Sequence, residues 1–194
     1  LDAFEEVGLL PGHHGGTRTH VVSGSFGAAQ ARVCDVVLRR THDDHSRCVF
    51  RGSVIDISLP GQGHPEVRVT PVGGPISALM ERVKAQGMQT IDVPELRPTL
   101  EARAEDPNAV AGPAYTELFR CLIELARLGD LRAAVHDDRL LIAVETDQDL
   151  LPVPSVWRPI DVRMNGEARA RLRQIADSAR RVGEAFQQPT RAQS

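Results

Sequence analysis

Residues 113–145 read PAYTELFRCLIELARLGDLRAAVHDDRLLIAVE, and this run decides the fold. Tyr115, Leu118, Phe119, Leu122, Leu125 and Ala126 recur at the spacing of one helix face, which predicts an amphipathic helix over 113–128. Pro113 suits the first turn of that helix, and Gly129 suits the position just past its end. Burying such apolar side chains contributes about 1.5–3 kcal/mol each, so the helix should be the main cover of a sheet. Residues 131–135 and 139–145 then predict a hairpin turning at His136-Asp137-Asp138. Leu140 to Val144 is apolar at every position, the pattern of a central strand covered on both faces.

Working towards the N-terminus, residues 94–113 carry Pro94, Pro98, Pro107 and Pro113 and read as an irregular connection. Thr90 to Val93 reads as a short strand. Pro75 opens a helical pattern through Ile76, Leu79, Met80 and Val83, closed by Gly87. Glu66 to Thr70 alternates as an exposed strand should. Residues 31–40 and 47–59 are rich in β-branched side chains and flank a polar turn at His42-Asp43-Asp44-His45. His20 to Ser23 is a further short strand, and Pro11 to Gly16 should break any regular structure before it. Towards the C-terminus, Pro152, Pro154 and Pro159 mark another irregular stretch. Asn165 is placed to cap a last helix from Glu167 to Phe186, with Leu172, Ile175, Ala176, Ala179, Val182 and Phe186 inward.

The predicted organisation is an irregular segment 1–18, one α+β domain 19–186 and a frayed tail 187–194. Its sheet is antiparallel or mixed, with two to three helices packed on it. The length of 194 residues suits a single domain with a sizeable core. Net charge is −3, which gives no whole-molecule attraction for nucleic acid, and no nucleic-acid partner is expected. Cys34, Cys48 and Cys121 form neither a CxxC pair nor an even disulfide set. A hairpin centred near residue 44 puts Cys34 opposite Ser53 or Val54, which argues against a bridge to Cys48. No stretch approaches the roughly 18 apolar residues of a membrane span. The chain begins at Leu1, as expected of a piece whose leading segment lies elsewhere.

Three stretches are similar to those of a known family. They are Phe50-Arg51-Gly52-Ser53 with the apolar run behind it, Ala111-Gly112-Pro113-Ala114-Tyr115 opening a helix, and the 131–143 hairpin. In this order they resemble the bacterial family catalogued as domain of unknown function 3137, across residues 20–150. The resemblance implies a cytoplasmic domain held at the inner face of a membrane by helices ahead of it, and it carries over no catalytic residue. It also implies an acidic residue followed by Gly at the last hairpin turn, where this chain has Asp138 in the Gly place. A turn needing positive φ would be mildly strained there.

The residues capable of chemistry sit mostly in turns. His42, Asp44 and His45 could act as transition-metal ligands, with His136 joining them if the two His-Asp-Asp turns converge. Ordinary turn preference already accounts for all four. There is no phosphate loop of the GxxxxGK[ST] kind and no GxSxG serine, and no cofactor is implied. Arg169, Arg171, Arg173, Arg180 and Arg181 make the last helix locally basic, a face suited to anionic lipid or an acidic protein partner. The reading is a non-enzymatic interaction domain of a membrane-associated bacterial protein. Its alternative is a metal-dependent enzyme built on the histidine turns.

Overall fold

A computed structural model describes residues 1–42, 45–72, 87–147 and 162–187. The elements are α1 (Asp2–Glu6), β1 (Gly15–Phe26), β2 (Ala29–His42), β3 (His45–Ser58), β4 (Val67–Pro71), β5 (Gln89–Ile91), β6 (Leu100–Ala104), α2 (Pro113–Leu125), β7 (Asp130–His136), β8 (Arg139–Glu145) and α3 (Val162–Gln187). The strands form one eight-stranded sheet in the order β1-β2-β3-β8-β7-β4-β6-β5. Every pairing in it is antiparallel. The chain is therefore α+β, with a sheet larger than its local sequence signals suggest.

The central strand is the one the apolar run marks. Leu140, Leu141, Ile142, Ala143 and Val144 are all buried. Alternation divides them between two cores. Leu140, Ile142 and Val144 belong to the larger core beneath α2 and α3. There Leu118, Leu122 and Leu125 of α2 and Ile175, Ala179 and Val182 of α3 close over the sheet. Phe186 near the end of α3 stands edge-on to Tyr115 and to His64, at centroid distances of 5.2 and 4.9 Å. Arg181 of α3 donates to Glu117 at 2.6 Å and to Glu124 at 2.8 Å, tying the two helices together.

Leu141 and Ala143 face the other way, into a second core with Val36, Leu38, Phe50 and Val54. Its cover is the N-terminal segment, through Phe4, Val7, Leu9 and Leu10. These first ten residues, part of the segment expected to be irregular, thus close one side of the sheet. The glycine pair read as a break instead begins β1, where Gly15 and Gly16 pair with Arg39 and Leu38. A Cβ on Gly16 would lie 2.7 Å from Leu38 Cδ2 and 3.1 Å from the Val37 carbonyl oxygen, so any larger residue there would have to displace the buried leucine. The proline-rich connection likewise holds a strand, β6, whose Leu100, Ala102 and Ala104 alternate into the main core.

The smaller expectations have mixed outcomes. Cys34 pairs opposite Val54, and all three cysteines are free thiols. The last helix starts at Val162, so Asn165 lies within it rather than at its cap. The helix expected behind Pro75, in residues 73–86, and the tail 188–194 lie outside the described residues. At the last hairpin turn Asp137 and Asp138 both have positive φ, +46° and +57°, as a two-residue type I′ loop demands. The structure gives a reason for Asp where Gly was expected. The Asp138 carboxylate accepts the His64 backbone N–H at 3.0 Å, and its carbonyl accepts that of Leu59 at 2.8 Å.

Candidate anion-binding groove

Among the described residues the metal candidates of the two turns do not come together. His42 and His45 stand directly opposite one another, both exposed, at the outer end of the β2–β3 hairpin. Asp44 lies outside the described residues. His136 pairs with Arg139, and Arg139 pairs with Ser58 at the far end of β3. The full length of β3, from His45 to Ser58, separates the two turns. At about 3.3 Å per residue that is roughly 40 Å. His136 instead keeps company with Glu66 at 3.8 Å and Asp137 at 3.5 Å. Among the described residues no group of three or more His, Cys, Asp or Glu side chains is placed to hold a metal ion.

The basic helix is also less free than its sequence suggests. Arg181 is committed to Glu117 and Glu124, and hydrogen bonding to those carboxylates raises its pKa. Arg180 donates to Glu184 at 3.0 Å within its own helix. Arg171 is half-buried, while Arg169 and Arg173 are exposed.

A different set of arginines converges. Register places Arg32 opposite Ser23 of β1 and Asp56 of β3, and Arg18 opposite Val36, all on the face of the second core. The arginines of that face on β4, β6, β7 and β8 are neutralised within the sheet. Arg68 pairs with Glu66 at 2.9 Å, Arg103 with Glu101 at 2.8 Å and Arg132 with Glu145 at 3.1 Å. Arg139 grips Asp56 with two donors, and this bond raises the arginine's pKa. Arg18 and Arg32 are exposed and make no ion pair among the described residues.

Two adjoining hollows open at these side chains. One, of about 550 Å³, is lined by Ser23, Ser25, Gln30, Arg32, Asp56, Ser58 and Arg139. The other, of about 300 Å³, is lined by Arg18, Arg32, Cys34, Asp56 and Arg139, with Leu1 to Phe4 as its wall. Arg32, Asp56 and Arg139 are common to both, so the hollows form one groove beside the N-terminal segment. In the sequence Arg18 and Arg32 are two unremarkable arginines. Only the pairing of β1 with β2 and β2 with β3 reveals that they flank one hollow. The available signal was the period-2 alternation through Arg32, Cys34 and Val36, which puts Arg32 in line with an apolar face.

A second polar group is buried on the opposite side of the sheet. Asp35 and Ser53 pair across β2 and β3 and are 4% and 0% exposed. The Ser53 hydroxyl donates to Asp35 Oδ1 at 2.5 Å, and His20 Nδ1 lies 3.4 Å from Oδ2. His20 reaches it from a bulge, where His20 and Val21 together oppose Cys34, and it adopts a φ of +55°. The carboxylate lies between the hydroxyl and the imidazole. A serine nucleophile needs the imidazole at its own oxygen, so this order builds no acyl-transfer triad. It anchors the bulged edge strand to the sheet interior.

The thiols give a direct test of these environments. Burial pushes the Cys34 thiol upward, against the pull of Arg32 and Arg18. Burial pushes Cys121 up from 9.0 to about 12. The exposed Cys48 should therefore react with iodoacetamide at pH 8 while Cys34 and Cys121 stay protected until the protein unfolds, as read by mass spectrometry. The raised Cys121 value also fixes a sign. Below pH 9 the thiol is neutral folded or unfolded and contributes no pH dependence. From pH 9 to about 12 only the unfolded chain releases the proton, so stability falls as pH rises. Cys121→Ala should flatten that alkaline slope in urea titrations. An unchanged slope would place Cys121 in contact with water.

A crystal structure of the mycobacterial trehalose monomycolate transport factor A is similar to this chain with a TM-score of 0.37 and 10% identity, over 86% of this chain and 88% of that one. No protein-family model matches the chain, and no curated protein matches its sequence. Among the described residues no helix is long and apolar enough to cross a membrane.

Proposed function

We propose that this chain is a non-enzymatic interaction domain that receives an anionic group in the groove at Arg18 and Arg32. One observation carries the reading. Of the arginines on this face of the sheet, those over β4, β6, β7 and β8 have carboxylate partners, whereas these two lack them and meet at a hollow. Unpaired guanidinium groups in a concave site attract a carboxylate, sulfate or phosphate through short, charge-assisted hydrogen bonds. The acidic partner or anionic surface expected at the last helix is reassigned to this groove. Membership of the resembled family and a place at the inner face of a membrane belong to the same proposal, and rest on the three stretches quoted from the sequence.

The test is an NMR titration with sulfate at low ionic strength, where screening is weakest. Shifts should concentrate on residues 18, 23–25, 30–34 and 54–58. Arg18→Ser/Arg32→Ser should weaken binding at least tenfold and leave the melting temperature unchanged, because both side chains are exposed. Shifts centred on Arg169 and Arg173, or equal binding by the variant, would return the anion site to the helix.

A further inference from the structure

Resting on that reading, we infer that the anion the groove accepts is the phosphate of a phosphate ester. Apart from Asp2 in the wall of the smaller hollow, the charged side chains left without a partner here, among the described residues, are guanidinium donors, and two strands supply the donor groups. Arg32 extends from β2, while Arg18, Ser23 and Ser25 extend from β1. Ser23 and Ser25 are exposed and two residues apart, so they share one face of the strand, opposite Arg32 and Gln30 of β2. The groove's central acceptor, Asp56, is already held by both donors of Arg139. That pair keeps the carboxylate from repelling an incoming anion and leaves the site a net donor.

Guanidinium and hydroxyl donors approaching from different directions fit a tetrahedral anion with three or more acceptor oxygens. A carboxylate offers two oxygens in one plane and is satisfied by a single arginine fork. The larger hollow, about 550 Å³, also has room for more than the anion itself, in the size range of small-molecule sites. Gln30 and Ser58 line that extra space and are polar, so the esterified group should be polar too. Such a phosphate is available from a soluble ester or from a lipid headgroup, and the chemistry at Arg32 is the same for both.

Calorimetric titration of the whole chain with glycerol 3-phosphate, inorganic phosphate and succinate tests the class. Glycerol 3-phosphate should bind at least tenfold more tightly than succinate. Arg32→Gln should weaken the ester at least tenfold. Ser23→Ala/Ser25→Ala should weaken the ester several-fold while leaving succinate unchanged, and both variants should melt like the parent. Flotation with vesicles of phosphatidic acid, against phosphatidylcholine alone, identifies the source. Recovery with the phosphatidic acid vesicles that Arg32→Gln abolishes supports the headgroup phosphate, and ester binding without flotation supports a soluble ester. Equal affinity for succinate and glycerol 3-phosphate overturns the phosphate assignment and leaves the anion groove standing. No heat of binding from any of these anions overturns both.

Discussion

Gly52→Ala is expected to unfold the protein or to cost it at least about 3 kcal/mol. Gly52 lies in β3 between Val36 of β2 and Glu145 of β8. A Cβ built there falls 1.9 Å from the Val144 carbonyl oxygen and 2.9 Å from its carbon. These are backbone atoms of a central strand, so no rotamer change relieves the clash. The strand would have to separate from β3, and the alternating burial of Leu140 to Val144 would be lost with it. Urea denaturation followed by circular dichroism reads the effect. Gly166→Ala is the control, since a Cβ there meets nothing within 4 Å and a helical Gly→Ala change gains up to about 1 kcal/mol. A Gly52→Ala protein with the parent's denaturation midpoint would mean that β8 does not approach β3 at this point.

Phe50→Ala is expected to cost about 3–5 kcal/mol, the range for a large aromatic removed from a core. Phe50 is 1% exposed and sits in the core that the N-terminal segment closes. The more discriminating measurement is its coupling to that segment. Phe4 belongs to the same cluster although 46 positions and several strands of chain separate the two. In a double-mutant cycle Phe4→Ala and Phe50→Ala should therefore be non-additive by about 0.5–3 kcal/mol. Additivity within about 0.3 kcal/mol would show that residues 1–10 do not pack over β3, and the wall of the groove would go with them.

Several elements are legible because their signals are local. The helix at 113–125 declares itself through five apolar positions on one face, Tyr115, Leu118, Phe119, Leu122 and Leu125. The β7–β8 hairpin follows from a two-residue turn between apolar runs. Counting outward from a centre near residue 44 narrows the partner of Cys34 to Ser53 or Val54, and Val54 is the one observed. What the sequence withholds depends on distant partners. Nothing local says that β3 neighbours β8 or that β4 and β6 insert beyond β7. Phe4, Val7, Leu9 and Leu10 look like a poor helix followed by a break, and their value lies in an apolar surface contributed by β2, β3 and β8. Leu100 to Ala104 alternates correctly, but prolines on both sides hide it. The candidate site is the least legible part. Its chemistry is spread over β1, β2, β3 and β8, while the conspicuous histidines mark only where the chain reverses.

The bulge at His20 and Val21 has a consequence for how molecules of this protein meet one another. Among the described residues the sheet ends at β1 on one side and at β5 on the other. β5 spans only Gln89–Ile91 and offers an incoming strand almost no length. β1 is long, but its ladder is regular only over Gly15–Thr19 and Val22–Phe26, with the left-handed His20 between them. A straight strand laid against that rim would lose step part-way along. The anchor from His20 to the buried Asp35 holds the irregularity in place. Such an irregularity is one way a protein blunts an edge strand against pairing with a second molecule, here on the rim that carries the exposed Val21 and Val22.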